Sequence, residues 1–207
     1  MKREITELLL KTKAVTLRPT NPFTWVSGIF APIYTDNRIL MSCPEERKIV
    51  VKSMIETIRK ECPDFDYVAG VATSGIPWAA WIASYFDRPM VYARGNRKGH
   101  GKENVVEGRL EKGKKAILIE DLISTGGSSE TAVDALREAG AAVTNCFAIF
   151  TYGLKKADET FRRINCTLTA LTDFTTLLQT ASETGYISEE EKKSCEEWAD
   201  DPEGWGK

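Results

Sequence analysis

Residues 116–129 read AILIEDLISTGGSS. Ala116 to Ile119 are continuously apolar, the pattern of a strand buried on both faces. Glu120 and Asp121 end that strand. A turn of hydroxyl and glycine residues then opens a helix, ETAVDALREAG, which Gly140 closes in the C′ position. Gly126 and Gly127 let the backbone come close to a ligand and aim several N–H groups at one point. The helix N-terminus adds partial positive charge, and Ser124, Thr125 and Ser128 add hydroxyl donors, so the turn has the physics of a phosphate site. Neither GxxxxGK[ST] nor GxGxxG occurs, which excludes a Walker A loop and a Rossmann fingerprint. Two carboxylates beside a phosphate cradle are unfavourable unless they face something else. Ribose hydroxyls, or a magnesium ion bridging them, are their natural partners. The plainer alternative is a strand-end turn with solvated acids.

Working outward, the same alternation recurs. YVAGVA is a strand leading through TSGIP into a helix over Ala79–Tyr85, and PMVYA is a strand leading into a polar loop. VTNCFAIFTY and TLTALTDF follow as strands, and Glu45–Cys62 has helical spacing that Pro63 stops. Short apolar strands alternating with helices predict an α/β fold, a parallel-sheet core flanked by helices. In such sheets ligands bind beyond the carboxyl ends of the strands, which points to the loops after Ala72, Ala93 and Glu120. MKREITELLLKTKAV reads as a short amphipathic helix. The following stretch, rich in Pro, Gly, Thr and aromatics, reads as a small cap outside the sheet. The acidic tail begins as a helix capped by Ser188 with a glutamate three residues on, and reads as a solvated surface helix. We therefore expect one structural domain, with an N-terminal helix and hood over 1–40, a core over 41–175 and a helical tail over 176–207.

The chain has 207 residues, enough to bury a core without disulfide or metal staples. A net charge of −2 excludes a globally basic nucleic-acid binder, and 42% hydrophobic content is wrong for a disordered chain. No apolar stretch approaches a membrane span, and the N-terminus is no signal peptide. Cys43, Cys62, Cys146, Cys166 and Cys195 are odd in number and lack a CxxC pair, which fits reduced thiols in a cytoplasmic protein. His100 is the single histidine, which limits imidazole chemistry.

Three further stretches carry polar signals. RGNRKGHGK, residues 94–102, sets four cations and His100 among glycines. Alone it could be a solvated face. Beside a polyphosphate site it suggests a lid whose charges follow a leaving pyrophosphate and whose closure excludes water. VATSGIPW offers Thr73 and Ser74 at a strand-to-helix turn. FTWVSGIFAPIYTDNR, residues 23–38, is an irregular aromatic segment that could simply pack onto the sheet.

EDLISTGGS resembles the phosphoribosyl-pyrophosphate motif of the type I phosphoribosyltransferases. The resemblance implies that Glu120 and Asp121 hold the ribose hydroxyls of phosphoribosyl pyrophosphate. It implies too that Leu122, Ile123, Ser124, Thr125, Gly126, Gly127 and Ser128 surround its 5′-phosphate, and that Thr73 and Ser74 contact the pyrophosphate. RxxxKxHG followed by an EG pair is similar to the orotate-using branch of that family. By that similarity Arg94, Lys98 and His100 contact the pyrophosphate, and Lys98 and His100 are the catalytic residues. The loop over 94–102 would reach the neighbouring active site of a homodimer. The segment over 23–38 resembles the branch's hood, which makes Tyr34, Thr35 and Ser124 candidate orotate contacts. The implied cofactor is Mg2+, held mainly through phosphoribosyl pyrophosphate with no direct metal ligand. Orotate and phosphoribosyl pyrophosphate are the implied substrates, in pyrimidine nucleotide synthesis, with no nucleic acid or membrane partner. Phe30 and Ala31 stand where many relatives have Lys-Ser, Val26 where others have lysine, and Gly95 where a second lysine often follows the arginine. The rivals are a phosphoribosyltransferase for a purine base and a non-catalytic sensor of the donor.

Overall fold

A computed structural model describes residues 1–25, 28–94 and 105–206. In chain order the helices are α1 (Lys2–Lys11), α2 (Pro44–Glu61), α3 (Gly75–Phe86), α4 (Gly127–Glu138), α5 (Lys155–Arg163), α6 (Phe174–Glu183) and α7 (Glu189–Asp200). The strands are β1 (Val15–Leu17), β2 (Phe23–Thr24), β3 (Phe30–Ala31), β4 (Ile33–Thr35), β5 (Tyr67–Val71), β6 (Met90–Ala93), β7 (Val106–Glu107), β8 (Lys115–Ile123), β9 (Ala142–Thr151) and β10 (Thr167–Asp173). A 3₁₀ helix covers Asn37–Ser42.

Six strands form the central sheet in the order β10-β9-β8-β5-β6-β7. The pairs β10–β9, β9–β8, β8–β5 and β5–β6 are parallel, and the short edge strand β7 pairs antiparallel with β6. Successive residues of the apolar runs serve opposite faces. Ile117, Ile119, Phe147 and Ile149 join one core cluster with Ile5, Met54, Trp78 and Leu177 of the helices on that side. Ala116, Leu118, Cys146 and Ala148 join the other, with Val133, Leu136 and Phe161 of α4 and α5. A central strand sandwiched in this way has no polar face, which is why AILI is unbroken. The hood makes two small antiparallel pairs, β1 with β4 and β2 with β3, separate from the main sheet.

The structure differs from the sequence reading in several places. α3 begins at Gly75, ahead of the expected Ala79, and α4 at Gly127, ahead of Glu130. α5 and α6 fill segments where no helix was read. The tail helix α7 has the expected capping box, Ser188 with Glu191, but it is not merely solvated. Cys195 and Trp198 are fully buried, and Trp198 Nε1 donates to the main-chain oxygen of Phe30 at 3.1 Å. The tail thus fastens the hood. Gly140 does sit at the end of α4 with φ +101°, the left-handed region that suits glycine. The five cysteines are free thiols, and among the described residues no helix is long and apolar enough to cross a membrane.

Candidate active site

β8 outlasts its neighbour. Its pairing with β5 stops at Gly70 opposite Ile119, whereas its pairing with β9 continues to Ile123 opposite Thr151. From Glu120 onward one edge of β8 is therefore open. The chain after β5 turns away there through Ala72 to Ser74 into α3, and the Ala72–Thr73 peptide is cis. Gly75 is what lets this turn lie so close, since a Cβ on it would stand 2.5 Å from the Ile119 main-chain oxygen. Glu120 and Asp121 were expected to end the strand. They lie within it, at the point where the crevice opens.

Two cavities adjoin at this point. One, of about 270 Å³, is lined by Glu120 and by Leu122 through Ser129. Its floor is the start of α4, where Gly126 caps the helix at φ +82° and no side chain caps the first turn. The N–H groups of that turn thus face the cavity with the positive end of the helix dipole behind them. The other cavity, of about 260 Å³, is lined by Thr35, Asp36 and Arg38 of the hood, Val71 to Ser74, and Glu120, Asp121, Leu122 and Ser128. Glu120, Leu122 and Ser128 belong to both.

Burial raises the Glu120 carboxyl well above the usual carboxylate range, and the adjacent Asp121 charge raises it further. Burial raises Asp121 as well, against which its hydrogen bond to Glu120 and the Arg38 charge both act to lower it. Asp36 goes the other way, because the Arg38 side chain hydrogen-bonds its carboxylate. Behind the hood, burial pushes the Tyr152 phenol up to about 12.

The structure thus brings together Thr35, Thr73, Ser74, Glu120, Asp121 and the turn from Leu122 to Ser128. Tyr34 is outside both linings, half exposed with its ring 5.5 Å from that of Phe23. Arg94 also lies outside them, at the end of β6, with Nη2 3.1 Å from Glu107 Oε1. Lys98 and His100 lie outside the described residues. Sequence reasoning missed Asp36, Asn37 and Arg38 as site residues. Asn37 is buried and donates from Nδ2 to the Asp121 main-chain oxygen at 2.7 Å, while Arg38 and Asp36 wall the hood-side cavity.

A parallel sheet with a carboxylate pair and a helix N-terminus converging at an opened strand defines the class of the phosphoribosyltransferases. The family model described as "Phosphoribosyl transferase domain" matches residues 44–174. The chain is 48% identical over 207 residues to the orotate phosphoribosyltransferase of Listeria innocua, covering 100% of this chain and 99% of that one. It is 50% identical over 202 residues to that of Coxiella burnetii, covering 98% and 97%. A crystal structure of orotate phosphoribosyltransferase from Aeropyrum pernix superposes with a TM-score of 0.79 at 28% identity, covering 89% of this chain and 99% of that one. The chain belongs to the orotate phosphoribosyltransferase family.

Proposed function

We propose that the chain transfers the 5-phosphoribosyl group of phosphoribosyl pyrophosphate to N1 of orotate, giving orotidine 5′-phosphate and pyrophosphate. The observation that carries this is the position of Glu120, shared by the phosphate-binding turn and the hood-side cavity at the open edge of β8. A ribose spanning that junction sets its 5′-phosphate on the start of α4 and its C1′ toward the hood. Glu120 and Asp121 accept hydrogen bonds from the ribose hydroxyls. Leu122 to Ser128 enclose the 5′-phosphate, and Thr73, Ser74, Arg94, Lys98 and His100 take the pyrophosphate. Tyr34, Thr35 and Ser124 contact orotate.

No protein nucleophile is required, because the donor carries its own leaving group. The protein positions the two substrates and neutralises developing charge. Lys98 and His100 are the catalytic residues, their donors following the departing pyrophosphate. Mg2+ prefers oxygen ligands and is commonly held by one or two carboxylates with substrate phosphates. Glu120 and Asp121 adjoin at the opened edge of β8, beside the ribose they are assigned to hold. The ion would be held mainly through phosphoribosyl pyrophosphate, with no direct protein ligand, and would supply further neutralisation of the pyrophosphate. The working form is a homodimer in the cytoplasm, with the loop over 94–102 of each protomer closing on its partner's site.

The test is the loss of orotate absorbance on adding magnesium and phosphoribosyl pyrophosphate. Consumption that requires both supports the reading. Pyrophosphate release with a purine but not with orotate overturns the base assignment. Donor binding without turnover on any base overturns the catalytic reading.

A further inference from the structure

The hood-side cavity has an unusual balance of charge. Its walls carry three carboxyl groups, Asp36, Glu120 and Asp121, and one cation among the described lining residues, Arg38. The Arg38 guanidinium lies back on Asp36, with Nε 2.7 Å from Oδ1 and Nη2 2.9 Å from Oδ2. Asp36 is fixed in turn, because it caps the 3₁₀ helix by accepting the main-chain N–H of Arg38 at 3.1 Å. One edge of the planar fork is thereby occupied. The Nη1 side makes no hydrogen bond to a described residue, so the end of the fork remains for a second planar acceptor.

Resting on the assignment of this cavity to the base, we propose that Arg38 receives the carboxylate of orotate and so sets the preference for a carboxylated pyrimidine. An anionic ring entering a pocket walled by three acids is repelled unless it docks on a cation, and Arg38 offers the geometry that a carboxylate fits. Among the described hood positions, Phe30 and Ala31 are apolar, Tyr34 is uncharged, and the Arg18 guanidinium lies over the Phe23 ring, 5.0 Å from its centroid, outside the cavity lining. Thr35, three residues earlier on the same wall, stands where it can meet the ring that Arg38 orients. Asp36 is a positioning residue: it holds the guanidinium at the wall and keeps the unliganded cavity from presenting a bare charge.

The donor's pyrophosphate is the other anion that could reach this guanidinium, and steady-state kinetics on the full chain separate the two. With each substrate varied in turn, Arg38→Leu is expected to raise KM for orotate at least about tenfold, the effect of losing a charge-assisted contact. KM for phosphoribosyl pyrophosphate should stay within about twofold, since the residues assigned to the donor, Thr73, Ser74 and the stretch from Glu120 to Ser128, all remain in place. The ratio of kcat/KM for orotate to that for uracil, the same ring without the carboxylate, should fall with it. Arg38→Lys, which keeps the charge but not the fork, should fall between parent and Arg38→Leu, and it carries the test if Arg38→Leu does not fold. An unchanged orotate KM, or an equal or larger rise for the donor, overturns the assignment. A parent protein that consumes no orotate overturns the functional reading on which the proposal rests, and is distinguishable from both.

Discussion

The side-chain amide of Asn37 donates to the main-chain oxygen of Asp121 at 2.7 Å, joining two residues 84 positions apart. Asn37 is buried, and its Oδ1 has no hydrogen-bond partner among the described residues. The hood's 3₁₀ turn is thus latched to the peptide that carries one of the two site carboxylates. Asn37→Ala leaves the Asp121 oxygen without its donor and is expected to cost about 1–3 kcal/mol of unfolding free energy. Asn37→Asp should cost more, since it sets a third carboxyl against the pair. Because the latch fixes the Asp121 backbone, KM for phosphoribosyl pyrophosphate should rise in both variants. Chemical denaturation together with donor-dependent kinetics checks this, and a stability loss without any KM change would make Asn37 purely structural.

Glu120 is held protonated more readily in the folded chain than in the unfolded one. A carboxyl of that kind keeps a proton that the unfolded chain has already released. Its contribution to the stability of the free protein is therefore fullest below the ordinary carboxylate value of about 4.3 and is lost as pH rises through the raised folded value. Glu120→Gln keeps the shape and removes the charge. It should melt at a higher temperature than the parent near neutral pH, with the difference shrinking as the solution is acidified. The same substitution should weaken donor binding, because an ionised acceptor is lost. Melting curves across pH with and without phosphoribosyl pyrophosphate test both halves.

Gly75 sits where α3 crosses β8. A Cβ there would stand 2.5 Å from the Ile119 oxygen and 3.4 Å from the Glu120 Cα, both backbone atoms of the strand that carries the carboxylates. Gly75→Ala must push α3 or β8 aside, at about 1–3 kcal/mol for overpacking. Thr73 and Ser74 move with the start of α3, so pyrophosphate affinity should fall alongside stability. Thermal unfolding and pyrophosphate inhibition constants measure the two effects, and a variant with parental values of both would show that the turn does not need this close approach.

The sheet and the carboxylate turn were legible because their signals are local. A strand buried on both faces must be continuously apolar, and a turn that cradles phosphate must have glycine and hydroxyls at adjacent positions. α5 was not legible, because Lys155–Arg163 is charged nearly throughout and buries only Ala157, Thr160 and Phe161. α6 was missed although Phe174, Leu177, Leu178 and Ala181 stand at i, i+3, i+4 and i+7, because its first residue reads as the end of the apolar strand before it. The two-residue β7 is too short to leave a pattern. Asn37 and Arg38 were missed for a different reason. One bonds a main-chain oxygen, which has no residue type to match, and the other acts through a cavity formed by three distant segments. Even within the legible turn, the strand's extension to Ile123 followed from β9 outlasting β5, a fact of the sheet rather than of the sequence near Glu120.

Lys98 is assigned a contact with the pyrophosphate that matters more to its departure than to holding the donor. Lys98→Ala should therefore lower kcat by at least about 100-fold, as removal of a positioned electrostatic donor does. The donor Kd should move far less. Direct binding measurements beside steady-state rates decide between the two, and matched losses in kcat and affinity would leave Lys98 a binding residue only.

Trp198 ties α7 to the hood. It is fully buried, its ring centroid lies 5.6 Å from that of Trp25 and 5.3 Å from that of Phe174, and its Nε1 donates to the Phe30 oxygen. Trp25 in turn donates from Nε1 to the Ile33 oxygen at 3.1 Å, so α7 holds β3 directly and reaches β4, which carries Tyr34 and Thr35, through the Trp25 ring. Trp198→Ala should cost about 3–5 kcal/mol through the cavity it leaves. Trp198→Phe keeps much of the apolar volume and loses the hydrogen bond to Phe30. It should retain most of the stability while raising KM for orotate, because the freed β3 no longer holds the hood in one position. Stability loss in both variants with an unchanged orotate KM in Trp198→Phe would mean that α7 supports the core alone, and that the hood is held by its own strand pairs.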